Sequence, residues 1–118
     1  MGTIKQFEDL DIWNESKGLS VLVYKNFRAL SDYGFRDQIC RAAVSVMNNI
    51  AEGFERNLDK EFQRFLKIAK GSSGEVRSML RLALELEYIN KNVCDELITR
   101  YTSLSSRIAG FIKYLNQS

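Results

Sequence analysis

Lys70-Gly71-Ser72-Ser73-Gly74-Glu75-Val76 is the stretch on which the fold turns. By composition, Gly-Ser-Ser-Gly is a loop, and the chain would then hold five helices. By phase it is not. Ala69 and Val76 stand seven residues apart, two helical turns, and Ser73 fills the seam between them. The apolar stripe Phe62, Phe65, Leu66, Ala69, Val76, Leu80 and Ala83 therefore runs unbroken, and one helix is predicted over 59–88, with Asn57 or Asp59 as its N-cap. The two glycines cost about 1 kcal/mol each relative to alanine. Small residues at this point would let a neighbouring helix approach closely.

Working outward, the preceding segment predicts a helix over 35–56. Ile39, Ala43, Val46, Ile50 and Phe54 form its core stripe. Cys40, Val44, Met47 and Ala51 form a second stripe beside it, more than one core face needs. Either this helix sits deeper in the core or the extra stripe is a subunit interface. A first helix is predicted over 10–30, capped by Asp9. It carries Ile12, Leu19, Val23, Phe27 and Leu30, with Trp13 and Leu22 alongside, and Ser31-Asp32-Tyr33-Gly34 ends it. A fourth is predicted over 91–115 behind an Asn90 cap, with Leu97, Tyr101, Leu104, Ile108, Phe111 and Leu115 at strict 4-3-4-3-4 spacing. Long helices joined by short turns pack as antiparallel neighbours, so residues 1–118 are expected to form one all-α domain, an antiparallel up-down-up-down four-helix bundle. The absence of proline agrees with uninterrupted helix. The first six and last three residues are expected to fray.

Composition narrows the function classes. At 45% hydrophobic and 27% charged, with a net charge of +2, the chain is ordinary globular material. It has no histidine, hence neither the commonest general base nor the commonest metal ligand. Glu15, Glu52, Glu55, Glu75 and Glu85 lack the Glu-x-x-His pattern of a di-metal bundle. Cys40 and Cys94 have no base to activate them and read as small buried hydrophobes with reduced thiols. Gly71-Ser72-Ser73-Gly74 has neither the spacing nor the preceding strand of a phosphate-cradling loop. No catalytic residue, metal, cofactor or small-molecule substrate is therefore expected. Nor is a membrane span expected, since no run approaches 18 apolar residues. Met1-Gly2-Thr3-Ile4-Lys5-Gln6 lacks the apolar core of a signal peptide and, at Gln6, departs from the myristoylation pattern. With the unpaired cysteines, this makes a cytoplasmic setting the expectation.

One polar constellation stands out. Lys60, Arg64, Lys67, Lys70, Arg77 and Arg81 fall within an arc of about 140° on the third helix, opposite its apolar stripe. Such a row can follow a phosphate backbone. It can equally be a solvated face laced with i,i+3 and i,i+4 ion pairs to Glu61, Glu75 and Glu85. A lesser constellation, Asn48-Asn49 with Glu52, reads as a helix–helix hydrogen bond or as a polar binding surface, and the first is the simpler account.

These residues carry a family resemblance. Phe7-Glu8-Asp9-Leu10-Asp11-Ile12-Trp13 resembles an N-terminal signature. Gln38-Ile39-Cys40-Arg41-Ala42-Ala43-Val44-Ser45-Val46 with Asn49-Ile50-Ala51-Glu52-Gly53 resembles a central one. Glu61-Phe62-Gln63-Arg64-Phe65-Leu66-Lys67-Ile68-Ala69-Lys70-Gly71-Ser72, then Glu75, resembles a third. In this order they resemble the bacterial four-helix-bundle proteins encoded in 23S rRNA intervening sequences, also called the S23 ribosomal protein family. The chain departs from them at the compact corner Leu30-Ser31-Asp32-Tyr33-Gly34, where family members often carry extra residues. The resemblance implies a bundle that self-associates, a ring of five being the best-known arrangement, and brings no catalytic residues. More distantly the chain is similar to the accessory proteins of diversity-generating retroelements, which implies contact with RNA or DNA. Two functions are then expected: a nucleic-acid-associated oligomer using the Lys60-to-Arg81 face, or a protein-interaction module assembled through Cys40, Val44, Met47 and Ala51.

Overall fold

The computed structural model describes residues 4–117. A single 3-10 turn, η1 (Phe7–Asp9), leads into four helices: α1 (Asp11–Phe27), α2 (Tyr33–Glu55), α3 (Asp59–Glu85) and α4 (Lys91–Asn116). Each helix packs on its neighbours in sequence, and α4 closes onto α1. The result is an all-α, up-down-up-down bundle measuring 45 × 20 × 19 Å. Helix α3 runs through Gly71 and Gly74 without interruption, as the apolar phase requires.

The predicted stripes are the core. Leu19, Val23 and Phe27 of α1 join Ile39, Ala43, Val46 and Ile50 of α2 in one buried cluster. Leu66, Ala69, Val76 and Leu80 of α3 join Leu97, Tyr101, Leu104 and Ile108 of α4 in the same buried cluster. Cys94 is buried, and its Sγ donates to the Leu80 carbonyl at 3.4 Å. Truncating a buried leucine such as Leu66 costs about 2–5 kcal/mol, transfer and cavity combined.

The close helix approach occurs at another place than the glycines of α3. A Cβ on Gly53 would lie 2.7 Å from Phe65 Cβ and 3.0 Å from Phe62 Cδ1, so α2 crosses α3 there with backbone against side chain. A Cβ on Gly71 would meet nothing within 4 Å. The serines between the glycines do bring helices together. The Ser72 hydroxyl lies 2.8 Å from that of Ser45 on α2. The next residue, Ser73, lies 2.7 Å from Ser105 Oγ and donates to the Tyr101 carbonyl at 3.2 Å, both on α4. Successive helical residues point about 100° apart, so one dipeptide addresses two neighbours.

The helix ends depart from expectation. Asp9 does not cap α1; Leu10 holds the cap position without a side-chain bond, and Asp9 accepts from Gln6 instead. Asn14 fixes the entry by donating to the carbonyls of Glu8 and Leu10 at 2.8 and 3.0 Å. Helix α1 stops at Phe27, short of Leu30. Asp32, expected to end α1, begins α2: its Oδ1 accepts from Phe35 N at 3.2 Å. Neither Asn57 nor Asp59 caps α3, because Asn57 adopts a left-handed conformation (φ 59°) that finishes α2, and Leu58 takes the cap position. Helix α3 ends at Glu85, earlier than 88. There Glu87 (φ 62°) lets Tyr88 N donate to the Ala83 carbonyl and Glu87 N to that of Leu84, a Schellman closure with glutamate where glycine is usual. Asn90 caps α4 as read, accepting from Val93 N at 2.9 Å. The expected fraying falls partly on residues 1–3 and 118, outside the described ones. Ile4 packs against the core, and α4 reaches Asn116.

Candidate nucleic-acid interface

Helix α3 carries the predicted basic row on its outer side. Lys60, Arg64, Lys67, Lys70 and Arg81 are exposed, while Arg77 is half-buried at the edge of the row. Its Nε is buried without a hydrogen-bond partner among the described residues. From residue 60 to residue 81 the helix advances about 32 Å at 1.5 Å per residue, so the cations stand along one uninterrupted helix.

The ion pairs that would neutralise this row are mostly absent. Arg64 is held by Glu61 at 3.1 Å and covers the Phe65 ring at 4.5 Å. That contact holds the Glu61 carboxyl below its usual range. Glu75 faces α2 and accepts from Gln38 at 3.4 Å. Lys60, Lys67, Lys70, Arg77 and Arg81 form no salt bridge among the described residues. The solvated ion-pair reading therefore accounts for one cation of the six.

The second stripe of α2 divides. Cys40 is buried in the α1–α2 seam, and burial pushes its thiol pKa up. A side chain covered by its own chain has little surface left for a second subunit, so Cys40 does not fit the interface expected of it. Val44, Met47 and Ala51 are half-buried, and on α1 Val21 is 48% exposed. The Asn48-Asn49 run is structural in part. Asn49 donates to the carbonyl and hydroxyl of Ser45, and so joins the Ser45–Ser72 contact with α3. Glu52 pairs with Arg56 at 3.0 Å, and Asn48 is exposed.

The structure also assembles a second basic feature, which the sequence reading missed. Where α1 ends and α2 begins, a groove of about 550 Å³ opens between the two helices. Arg28, Arg36 and Arg41 wall it; Tyr24, Cys40 and Val44 also line it, and Asp37 is its one carboxylate. Arg36 is already engaged, 2.9 Å from Asp37 and 4.7 Å above the Tyr33 ring. The only sequence signal was the clustering of arginines on either side of one helical corner.

Among the described residues no group of three or more Cys, Asp or Glu side chains could hold a metal ion, and no helix is long and apolar enough to cross a membrane. No curated protein matches the chain. A crystal structure of a protein of unknown function from the S23 ribosomal protein family of Bacteroides thetaiotaomicron superposes with a TM-score of 0.80 at 22% sequence identity. The match covers 86% of this chain and 95% of that one, which establishes the shared bundle. The model of the 23S rRNA-intervening sequence proteins matches residues 8–110, nearly the whole of the four helices. The chain belongs to the 23S rRNA-intervening sequence protein family.

Proposed function

We propose that the protein is a non-enzymatic, self-associating helical bundle that holds RNA on the outer face of α3. The observation that carries this reading is the row of exposed cations, Lys60, Lys67, Lys70 and Arg81, without salt-bridge partners among the described residues along one uninterrupted helix. Uncompensated charge on a rigid surface attracts phosphates by counterion release, with little sequence preference. Self-association belongs to the same proposal. Val44, Met47 and Ala51 leave half-buried apolar side chains along α2, and a ring would repeat the α3 face around its axis. The two buried, unpaired cysteines suit a cytoplasmic setting.

The test is the affinity for a structured RNA measured against salt concentration. About three or four phosphate contacts per subunit give a log–log slope of about −2 to −4. K67E/K70E is expected to flatten that slope and weaken binding by at least about tenfold. An affinity indifferent both to salt and to this double substitution rejects the reading. Sedimentation of Met47→Glu tests the apolar stripe of α2: the assembly is expected to dissociate toward monomer.

A further inference from the structure

We infer that the groove between the end of α1 and the start of α2 is a binding site for a nucleoside phosphate, its phosphoryl group between Arg28 and Arg41 and its base against Tyr24. The lining holds three arginines and one carboxylate, a net charge of +2 within seven residues. The whole chain of 118 residues carries no larger excess. All the cations are arginine, whose planar fork matches phosphate oxygens two at a time; the α3 face, by contrast, is half lysine.

The three arginines of the groove are not equally engaged. Arg36 is occupied by Asp37 and stacked on Tyr33. Arg28 and Arg41 form no salt bridge among the described residues and stand on different helices, one to each wall. Tyr24, 43% exposed, lies one turn before Arg28 on the same helix, so a base on its ring and a phosphate at Arg28 are one turn apart. Val44 and the edge of the largely buried Cys40 give an apolar lining. The volume of about 550 Å³ falls within the range of small-ligand clefts. Stacking on an aromatic ring beside guanidinium groups is how proteins hold single bases without reading sequence. The inference stands on the groove and is independent of the α3 reading.

The same chemistry arrives as a free nucleotide or as one unit of a single strand, and two arms separate them. Calorimetry with AMP and with inorganic pyrophosphate forms the first; anisotropy of a fluorescein-labelled hexa-adenylate forms the second. Heat with AMP assigns the free nucleotide; binding of the hexamer alone assigns the strand. In either case R28A/R41A is expected to weaken binding at least about tenfold. Tyr24→Ala is expected to cost about fivefold or more for AMP or the hexamer while leaving pyrophosphate unchanged. K67E/K70E is expected to leave AMP affinity unaltered, so failure of the α3 face and failure of the groove are told apart. The substituted side chains are exposed, and thermal melts confirm that the variants fold. Binding of neither probe, or binding indifferent to R28A/R41A and to Tyr24→Ala, overturns the inference.

Discussion

Arg100 on α4 grips Glu15 on α1 with two parallel hydrogen bonds, Nε to Oε2 at 3.1 Å and Nη2 to Oε1 at 3.0 Å. The pair bridges the seam that closes the bundle, where α1 and α4 pack less closely than the other neighbours. Hydrogen bonding from Arg100 is the main cause that holds the Glu15 carboxyl below its ordinary value of 4.5; burial opposes it and Arg107 adds a smaller pull. A carboxylate depressed in the folded state stabilises fully above its unfolded pKa, and that stability is lost as the pH falls through the folded value. Glu15→Gln is therefore expected to cost about 1 kcal/mol or less at neutral pH, because the pair is partly solvated. Urea unfolding of the two proteins is expected to converge as the pH drops below the ordinary carboxylate range. A constant difference down to about pH 3 would contradict this.

Two glycine-to-alanine changes should move stability in opposite directions. Gly53→Ala drives a methyl into Phe65 and Phe62, where backbone and ring leave no room, and is expected to cost about 1–3 kcal/mol. Gly71→Ala adds a methyl in open space on an exposed helix and is expected to gain up to about 1 kcal/mol. Thermal melts of both variants check the pair, and equal shifts would contradict the packing described.

Tyr101 lies wholly in the core, and its hydroxyl has no hydrogen-bond partner among the described residues. Burial pushes the phenol pKa well above its usual value. Removing an unsatisfied buried hydroxyl while keeping the ring relieves a desolvation cost of about 1–3 kcal/mol. Tyr101→Phe is expected to leave stability unchanged or raise it. A loss of more than about 1 kcal/mol would mean that the hydroxyl makes a bond to ordered water.

Glu61 already holds Arg64, at 3.1 Å. Glu61→Gln removes that charge, and with it a second, longer contact to Arg56 at 3.7 Å. On the proposed α3 reading, RNA affinity is expected to rise roughly two- to fivefold, the worth of an exposed pair of up to about 1 kcal/mol. Unchanged affinity would show that Arg64 does not touch RNA.

The helices were legible because core burial imposes a period that side chains repeat, and Ile39, Ala43, Val46 and Ile50 announce it directly. That series continues to Gly53, so the contact with Phe65 was present in the spacing, though the glycines of α3 drew attention first. The helix ends were less legible. Asn57 and Glu87 close helices through backbone conformation, and a leucine at each of two cap positions sends no side-chain signal. The α3 row could be read from one helix, but which cations were paired depended on where Glu75 points. The groove was illegible because Arg28 and Arg41 belong to different helices, and only the packing of α1 on α2 brings them to one opening.

Ser72 and Ser73 act as a vernier for the molecule. An apolar seam tolerates sliding, since one leucine layer resembles the next. A slip of α3 by a single turn, about 5.4 Å, would part Ser72 from Ser45 and leave the buried Ser73 and Ser105 facing hydrocarbon. Each stranded hydroxyl costs about 1–3 kcal/mol, and the dipeptide would lose its partners on both sides together. The axial offset of α2, α3 and α4 is thereby set at one level midway along α3, and the cation row inherits its height against α2 and α4 from that level.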